Sequence, residues 1–342
     1  MIGIHTGDQM AGILPVERCF APKKQEETEE DSQMYKSYAE IVSSLPFVDS
    51  WGTKLVLYNG LWAIDELLPG IIAFRDHFKA RETDIIVATF PKAGTTWTKA
   101  LAFTILTREV NHPSSPTHPL LGFNPHSCVT TLEYLYMGRE NLMPDTDVLN
   151  ESPRLFATHV PYSFLPKSIV ESGAKIINVS RERKSTFVSQ WKFYGDIWED
   201  GDSDSLDLEK YVDLFTSGIS LYGPDWVYRA EYTNASSTNS NLLLLSYEEM
   251  IEKPVENAKK MAEFMGCGFT DDEVKLGIVD EIVKLCSFDN LKSQQVNKNG
   301  RSFSMIDNKH FFRKGQAGDW VNHLSPEMVS KLEKVAGKDN GQ

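Results

Sequence analysis

The stretch Phe90-Pro91-Lys92-Ala93-Gly94-Thr95-Thr96-Trp97 brings a lysine, a glycine and two hydroxyls together. Such a segment can grip an oxyanion. Gly94 lets the backbone approach closely, and the amides of Thr95, Thr96 and Trp97 would be exposed if a helix starts there. The hydroxyls add donors, and Lys92 supplies a mobile positive charge. The nucleotide-binding P-loop, GxxxxGK[ST], puts its lysine directly after the second glycine. Here Lys92 stands two residues before Gly94, so the segment is a variant rather than a match. On spacing alone, a plain turn at Gly94 beside a solvated Lys92 accounts for the same residues.

The flanking elements favour the anion site. Asp84 to Phe90 is an apolar, β-branched run that reads as a buried strand, and Thr98 to Phe103 reads as a helix, giving strand, loop, helix. Lys175 to Ser180 predicts a second central strand with a helix after it. Asn241 to Ser246 predicts a third, followed by a helix from Asn257 to Met265. Strands alternating with helices imply an α/β fold, a single domain with a central parallel sheet flanked by helices on both faces, P-loop-like in plan. Before the first strand, Tyr35, Tyr38, Ile41 and Val42 have helical spacing, ended by Leu45-Pro46, and Leu61 to Ala80 reads as a further helix. Residues 1–32 mix Gly, Pro, Lys and Glu without periodicity and predict a flexible arm, with the domain over 33–335 and a tail over 336–342. Residues 111–119, 200–205, 236–240 and 297–308 are rich in Gly, Pro, Ser or Asn and read as loops.

Composition narrows the partners. With 41% hydrophobic and 24% charged residues, the chain has an ordinary globular balance. A net charge of −13 opposes a general affinity for nucleic acid, so an anionic ligand must be held by a local cluster. No apolar run is long enough to span a membrane. Four scattered cysteines without CxxC spacing and an acidic, signal-free N-terminus point to a reduced, cytoplasmic setting.

The motif Pro-Lys-Ala-Gly-Thr-Thr-Trp resembles the 5′-phosphosulfate loop, PKxGTTW, of the cytosolic sulfotransferases. The resemblance implies the sulfotransferase fold and use of 3′-phosphoadenosine-5′-phosphosulfate (PAPS) as co-substrate, without a metal. It implies that Lys92, Ala93, Gly94, Thr95, Thr96 and Trp97 form the loop. Ala157-Thr158-His159-Val160-Pro161 is similar to the family's THxP segment, which makes His159 the general base at the acceptor, although alone it is one of eight histidines. Arg181-Glu182-Arg183-Lys184-Ser185, and then Ser189, fall where the family carries RNPKD and a serine. This implies that Arg181 and Ser189 bind the donor's 3′-phosphate and that Ser189 restrains Lys92. Glu182, Arg183 and Ser185 depart from the pattern. Ser185 can cap a helix start, while Arg183 either reinforces phosphate binding or faces water. Tyr247, in a segment similar to YEDM or YEEL, and Ser287 and Phe288, in Leu285-Cys286-Ser287-Phe288, are implied adenine neighbours with Trp97. Phe311-Phe312-Arg313-Lys314-Gly315-Gln316-Ala317-Gly318-Asp319-Trp320 resembles RKGxxGDW, with Arg313, Lys314 and Gly315 on the 3′-phosphate.

Five motifs stand in the family's order between about Tyr35 and Leu332, and Trp51, Tyr58 to Trp62 and Asn124-Pro125-His126 resemble its plant branch. The expected activity is sulfuryl transfer to a hydroxyl of a small organic acceptor, a plant phenolic or flavonoid first and a steroid or other specialised metabolite second. Tyr58, Trp62, His159, Tyr162, Trp191 and Phe193 are the expected acceptor contacts. The animal dimerisation segment KxxxTVxxxE is missing, which leaves a monomer or weak homodimer. Readings from other classes are a P-loop kinase, disfavoured by the lysine position, and a catalytically silent PAPS-binding protein, prompted by Glu182, Arg183 and Ser185.

Overall fold

The computed structural model describes residues 29–50, 53–136, 153–198, 207–302 and 306–335. Trp51, most of the expected N-terminal arm, the 200–205 loop and the 336–342 tail lie outside the described residues. Among those described, ten strands occur: β1 (Phe47–Ser50), β2 (Thr53–Tyr58), β3 (Leu61–Ile64), β4 (Ile85–Thr89), β5 (Thr130–Thr131), β6 (Leu155–Thr158), β7 (Lys175–Ser180), β8 (Leu242–Ser246), β9 (Arg301–Ser302) and β10 (Ile306–Asp307).

Five of these make a parallel sheet in the order β5-β6-β4-β7-β8. Every residue of β4 is buried, as a strand covered on both faces requires. Its alternate side chains enter two cores. Ile86 and Ala88 pack with Phe74, Phe156, Ile176 and Phe187 on one face. Ile85 and Val87 pack with Leu101, Ala157, Ile177 and Met261 on the other. The helices Leu68–His77 and Arg183–Trp198 contribute to the first core, and Thr95–Thr107 and Pro254–Met265 to the second.

The order places β4 between β6 and β7, so the connections leaving β4 and β6 run to opposite sides. At such a switch point the carboxyl ends of parallel strands open into a crevice. In register, Ala88 pairs Thr158, Thr89 pairs Val179, and Ser180 pairs Ser246. The residues that follow these ends are the Phe90 loop, His159, Arg181 and Tyr247.

Three expectations are corrected. Leu61 to Ala80 is not one helix: Leu61–Ile64 is β3, and the helix runs only from Leu68 to His77. Asn59 and Gly60 both have positive φ, 50° and 87°, and form a two-residue hairpin that pairs Tyr58 with Leu61. Residues 297–308 are not simply a loop. They hold the end of the helix Gln295–Asn299 and the paired strands β9 and β10. Two of the three asparagines that give the segment its loop-like composition are buried connectors: Asn297 donates to Leu291 O at 2.8 Å, and Asn308 donates to Val296 O at 2.9 Å. The first helix, Glu29–Ser43, starts inside the expected arm.

Candidate active site

The loop after β4 is shaped by two left-handed residues. Lys92 has φ 68° and Gly94 has φ 112°. Gly94 is the N-cap of the helix Thr95–Thr107, and a Cβ there would come within 2.7 Å of the Tyr247 ring. Glycine is thus required twice, by conformation and by space. The first amides of this helix have no partner within it and carry the positive end of its dipole. Thr95 Oγ1 lies 2.6 Å from Thr89 Oγ1, tying the first turn to the strand end.

His159 follows β6. Its Nδ1 lies 2.8 Å from the carbonyl oxygen of Thr89. A carbonyl only accepts, so Nδ1 carries the hydrogen and Nε2 keeps a lone pair. The His159 amide donates to Glu133 Oε1 at 2.7 Å, which fixes the ring from behind. Burial, aided by the charges of Lys99 and Lys92, pushes the imidazole down to about 4, against a hydrogen bond to Thr89 that acts the other way. The ring is therefore a neutral acceptor at neutral pH. Lys92 Nζ rests 3.7 Å from the centroid of Phe193 and 5.7 Å from that of Phe311. Burial, reinforced by Arg181 and Arg313, lowers its ammonium to about 7, while Asp196 opposes this.

At the other end, Arg181 donates to Lys92 O at 3.2 Å and to Gln316 O at 3.1 Å, and its guanidinium lies 4.5 Å from the Tyr247 ring centroid. Its Nε is buried with no partner among the described residues. Arg313 and Lys314 both bind Asp319, Lys314 at 2.6 Å. Gly315, φ 64°, presses on the Phe288 ring so closely that a side chain would collide with it. Ser287 caps the helix Phe288–Ser293, accepting from Asn290 N at 3.3 Å.

One cavity of about 850 Å³ gathers these groups. Lys92, Gly94, Thr95, Thr96, Trp97, His159, Arg181, Ser189, Phe193, Tyr247, Ser287, Phe288, Arg313, Lys314 and Gly315 all line it. Ala93, within the loop, is buried and does not line the cavity. Tyr58, Trp62, Tyr162 and Trp191 are not in the lining. Tyr58 meets Phe164 edge-on, and Trp62 binds the backbone of Tyr222 and Gly223. Tyr162 accepts from Asn239, and Trp191 meets His323. The aromatic wall comes instead from Tyr134, Tyr194, Tyr222 and Phe311, with Leu135 and Leu221. No sequence pattern singles these out, because they come from four separate segments.

The departures at 182–185 form a support. Arg183 faces neither phosphate nor water: it pairs with buried Asp225 at 2.5 Å. Asp225 also holds Arg229 at 2.9 Å, and Arg229 donates to Arg181 O at 2.6 Å. Ser185 lies inside the helix Arg183–Trp198 rather than at its cap, and donates to Glu182 Oε2 at 2.6 Å. Glu182 in turn accepts from Trp320 Nε1 at 3.0 Å. Among the described residues, no group of three or more His, Cys, Asp or Glu could hold a metal ion, and no helix is long and apolar enough to cross a membrane.

The sulfotransferase domain family matches residues 82–341. Cytosolic sulfotransferase 6 of Arabidopsis thaliana is 43% identical over 300 residues, covering 86% of this chain and 90% of the relative. Cytosolic sulfotransferase 7 of the same plant is 41% identical over 316 residues, covering 92% and 94%. Among solved structures, an Arabidopsis thaliana putative steroid sulphotransferase superposes with TM-score 0.70 at 32% identity, covering 93% of this chain and 98% of the other.

Proposed function

The chain belongs to the sulfotransferase family and is a PAPS-dependent sulfotransferase; from that premise we propose that His159, Lys92 and the Lys92–Trp97 loop carry the transfer to a phenolic hydroxyl. The observation that supports this most is the His159 tautomer. With Nδ1 committed to Thr89 O, the Nε2 lone pair is left as the base in the same cavity as Lys92. The donor's two anionic ends fit what is present: unpaired helix amides at the loop, and at the far end an orphaned buried Arg181 Nε beside Arg313 and Lys314. Bound PAPS supplies the sulfuryl group and a good leaving group. His159 takes the acceptor's proton, Lys92 offers its ammonium to charge developing on the leaving oxygen, and the loop amides with Thr95 and Thr96 hold the 5′-phosphate. Ser189 and Arg181 hold the 3′ end, and Trp97, Tyr247 and Phe288 border the base.

The lowered pKa of Lys92, about 7, leads to a test of this assignment. An anion beside Nζ favours the ammonium, so above pH 7 ligand binding must take up a proton. Calorimetry of adenosine 3′,5′-bisphosphate in buffers of differing ionisation heat should show uptake approaching one proton at about pH 8 and little at about pH 6. Lys92→Met should abolish the uptake; the same uptake in that variant would remove Lys92 from the role.

For the acceptor, the wall of Phe193, Phe311, Leu135 and Leu221 with the rings of Tyr134, Tyr194 and Tyr222 suits a flat aromatic. Glu66 among the lining residues disfavours an anionic acceptor. A flavonoid or related phenolic is the first choice. A steroid alcohol is the second, supported by the likeness to the putative steroid sulphotransferase. Transfer of labelled sulfate from PAPS across a panel of flavonols, simple phenols and steroids should give the highest kcat/KM with a flavonol. A steroid preferred more than tenfold would reverse the order.

A further inference from the structure

His126, in the short helix Pro125–Cys128, has no part in the reaction as assigned above, yet its ring bridges two residues of the helix Thr95–Thr107. Nδ1 lies 3.3 Å from Lys99 Nζ, and Nε2 lies 2.9 Å from Thr96 Oγ1. Thr96 and Lys99 are three apart and share one helix face. Lys99 is fully buried, and its Nζ also donates to Val129 O at 3.0 Å and to Thr131 Oγ1 at 2.7 Å.

Proton positions follow from these partners. An ammonium carries only donors, so the Nδ1 facing it must accept. The ring hydrogen is then on Nε2 and is donated to Thr96 Oγ1. With that oxygen accepting from the ring, the hydroxyl hydrogen of Thr96 cannot point back at it. Thr96 lines the cavity in the first helical turn, beside the unpaired amides. A doubly protonated ring would set an N–H against the ammonium. Burial and the charge of Lys99 keep the imidazole well below its usual range, in agreement with a neutral ring.

We propose that Lys99 and His126 form a buried pair that turns the Thr96 hydroxyl into a fixed donor toward the 5′-phosphate end of the nucleotide, making His126 a positioning residue. The inference rests on the donor reading above. Without the pair, the Thr96 hydroxyl rotates freely and must be oriented at the moment of binding; with it, that reorganisation is already made.

Calorimetric affinity for adenosine 3′,5′-bisphosphate tests the pair through a double-mutant cycle. Thr96→Val and His126→Phe should each weaken binding about tenfold, as loss of a hydrogen bond to a charged group does. If the ring acts only through Thr96, His126→Phe should add less than twofold in the Thr96→Val background. His126→Gln, whose amide offers both an acceptor and a donor, should bind within about threefold of wild type. His126→Met makes the same comparison if the phenylalanine variant does not fold. Binding of His126→Phe or His126→Met within twofold of wild type, or multiplicative losses near 100-fold in the double variant, would overturn the inference. Absence of bisphosphate binding by the wild-type enzyme would instead overturn the donor reading itself.

Discussion

Turnover of the His159→Ala enzyme falls by at least about 100-fold while its affinity for adenosine 3′,5′-bisphosphate stays within threefold of wild type. The split follows from where the ring is held. Its Nδ1 and its amide are occupied by Thr89 O and Glu133 Oε1, so it contributes Nε2 to the acceptor and little to the nucleotide. Losing a base removes an interaction made only in the transition state, which lowers kcat and kcat/KM together. The pH dependence has a definite sign. Burial holds the folded-state pKa near 4, below the ordinary imidazole value, so the base form is present above about 4 and is lost as pH falls through it. The acid limb of kcat/KM for wild type should therefore lie well below 6.5, and the residual rate of His159→Ala should lack it. Turnover within about threefold of wild type in that variant would take His159 out of the mechanism.

Asp225→Ala is expected to lower the melting temperature by on the order of 10 °C and to weaken bisphosphate binding measured below that temperature. Asp225 is almost wholly buried, between Arg183 at 2.5 Å and Arg229 at 2.9 Å. Removing the carboxylate leaves two guanidinium groups without it in a poorly solvated site, a loss of about 3–5 kcal/mol. Arg229 also donates to Arg181 O, so Arg181, proposed above to hold the 3′ end of the nucleotide, loses a backbone tether at the same time. Differential scanning calorimetry reads the first effect and titration of the bisphosphate reads the second. A melting temperature within 2 °C of wild type would remove the stabilising role of the triad, and unchanged bisphosphate affinity would show that it does not brace Arg181.

Features written in consecutive residues are legible in the sequence. The segment from Asp84 through Phe103 predicts a buried strand, a tight loop and a helix, and the structure has β4, left-handed residues at 92 and 94, and the helix Thr95–Thr107. β7 and β8 are legible because each carries a short apolar run, Ile176, Ile177 and Val179 in one and Leu242 to Leu245 in the other, with a helix after it. Leu61–Ile64 reads wrongly as helix because four apolar residues in a row carry no period, and only the Asn59-Gly60 turn distinguishes strand from helix there.

What the tertiary structure alone decided is which distant side chains meet. Along the helix Arg183–Trp198, Ser189 and Phe193 are four apart and reach the cavity, while Trp191 between them turns to His323. The same packing joins Asp225 to Arg183, and His126 to both Lys99 and Thr96, across separations that no local pattern records. Backbone conformation answers to neighbours a few residues away, which is why the loop, the central strands and the family motifs can be read from consecutive residues. Contacts across the sheet's carboxyl edge depend on how helices of both layers settle against one another, and those contacts set the acceptor wall, the arginine brace and the proton positions around the loop.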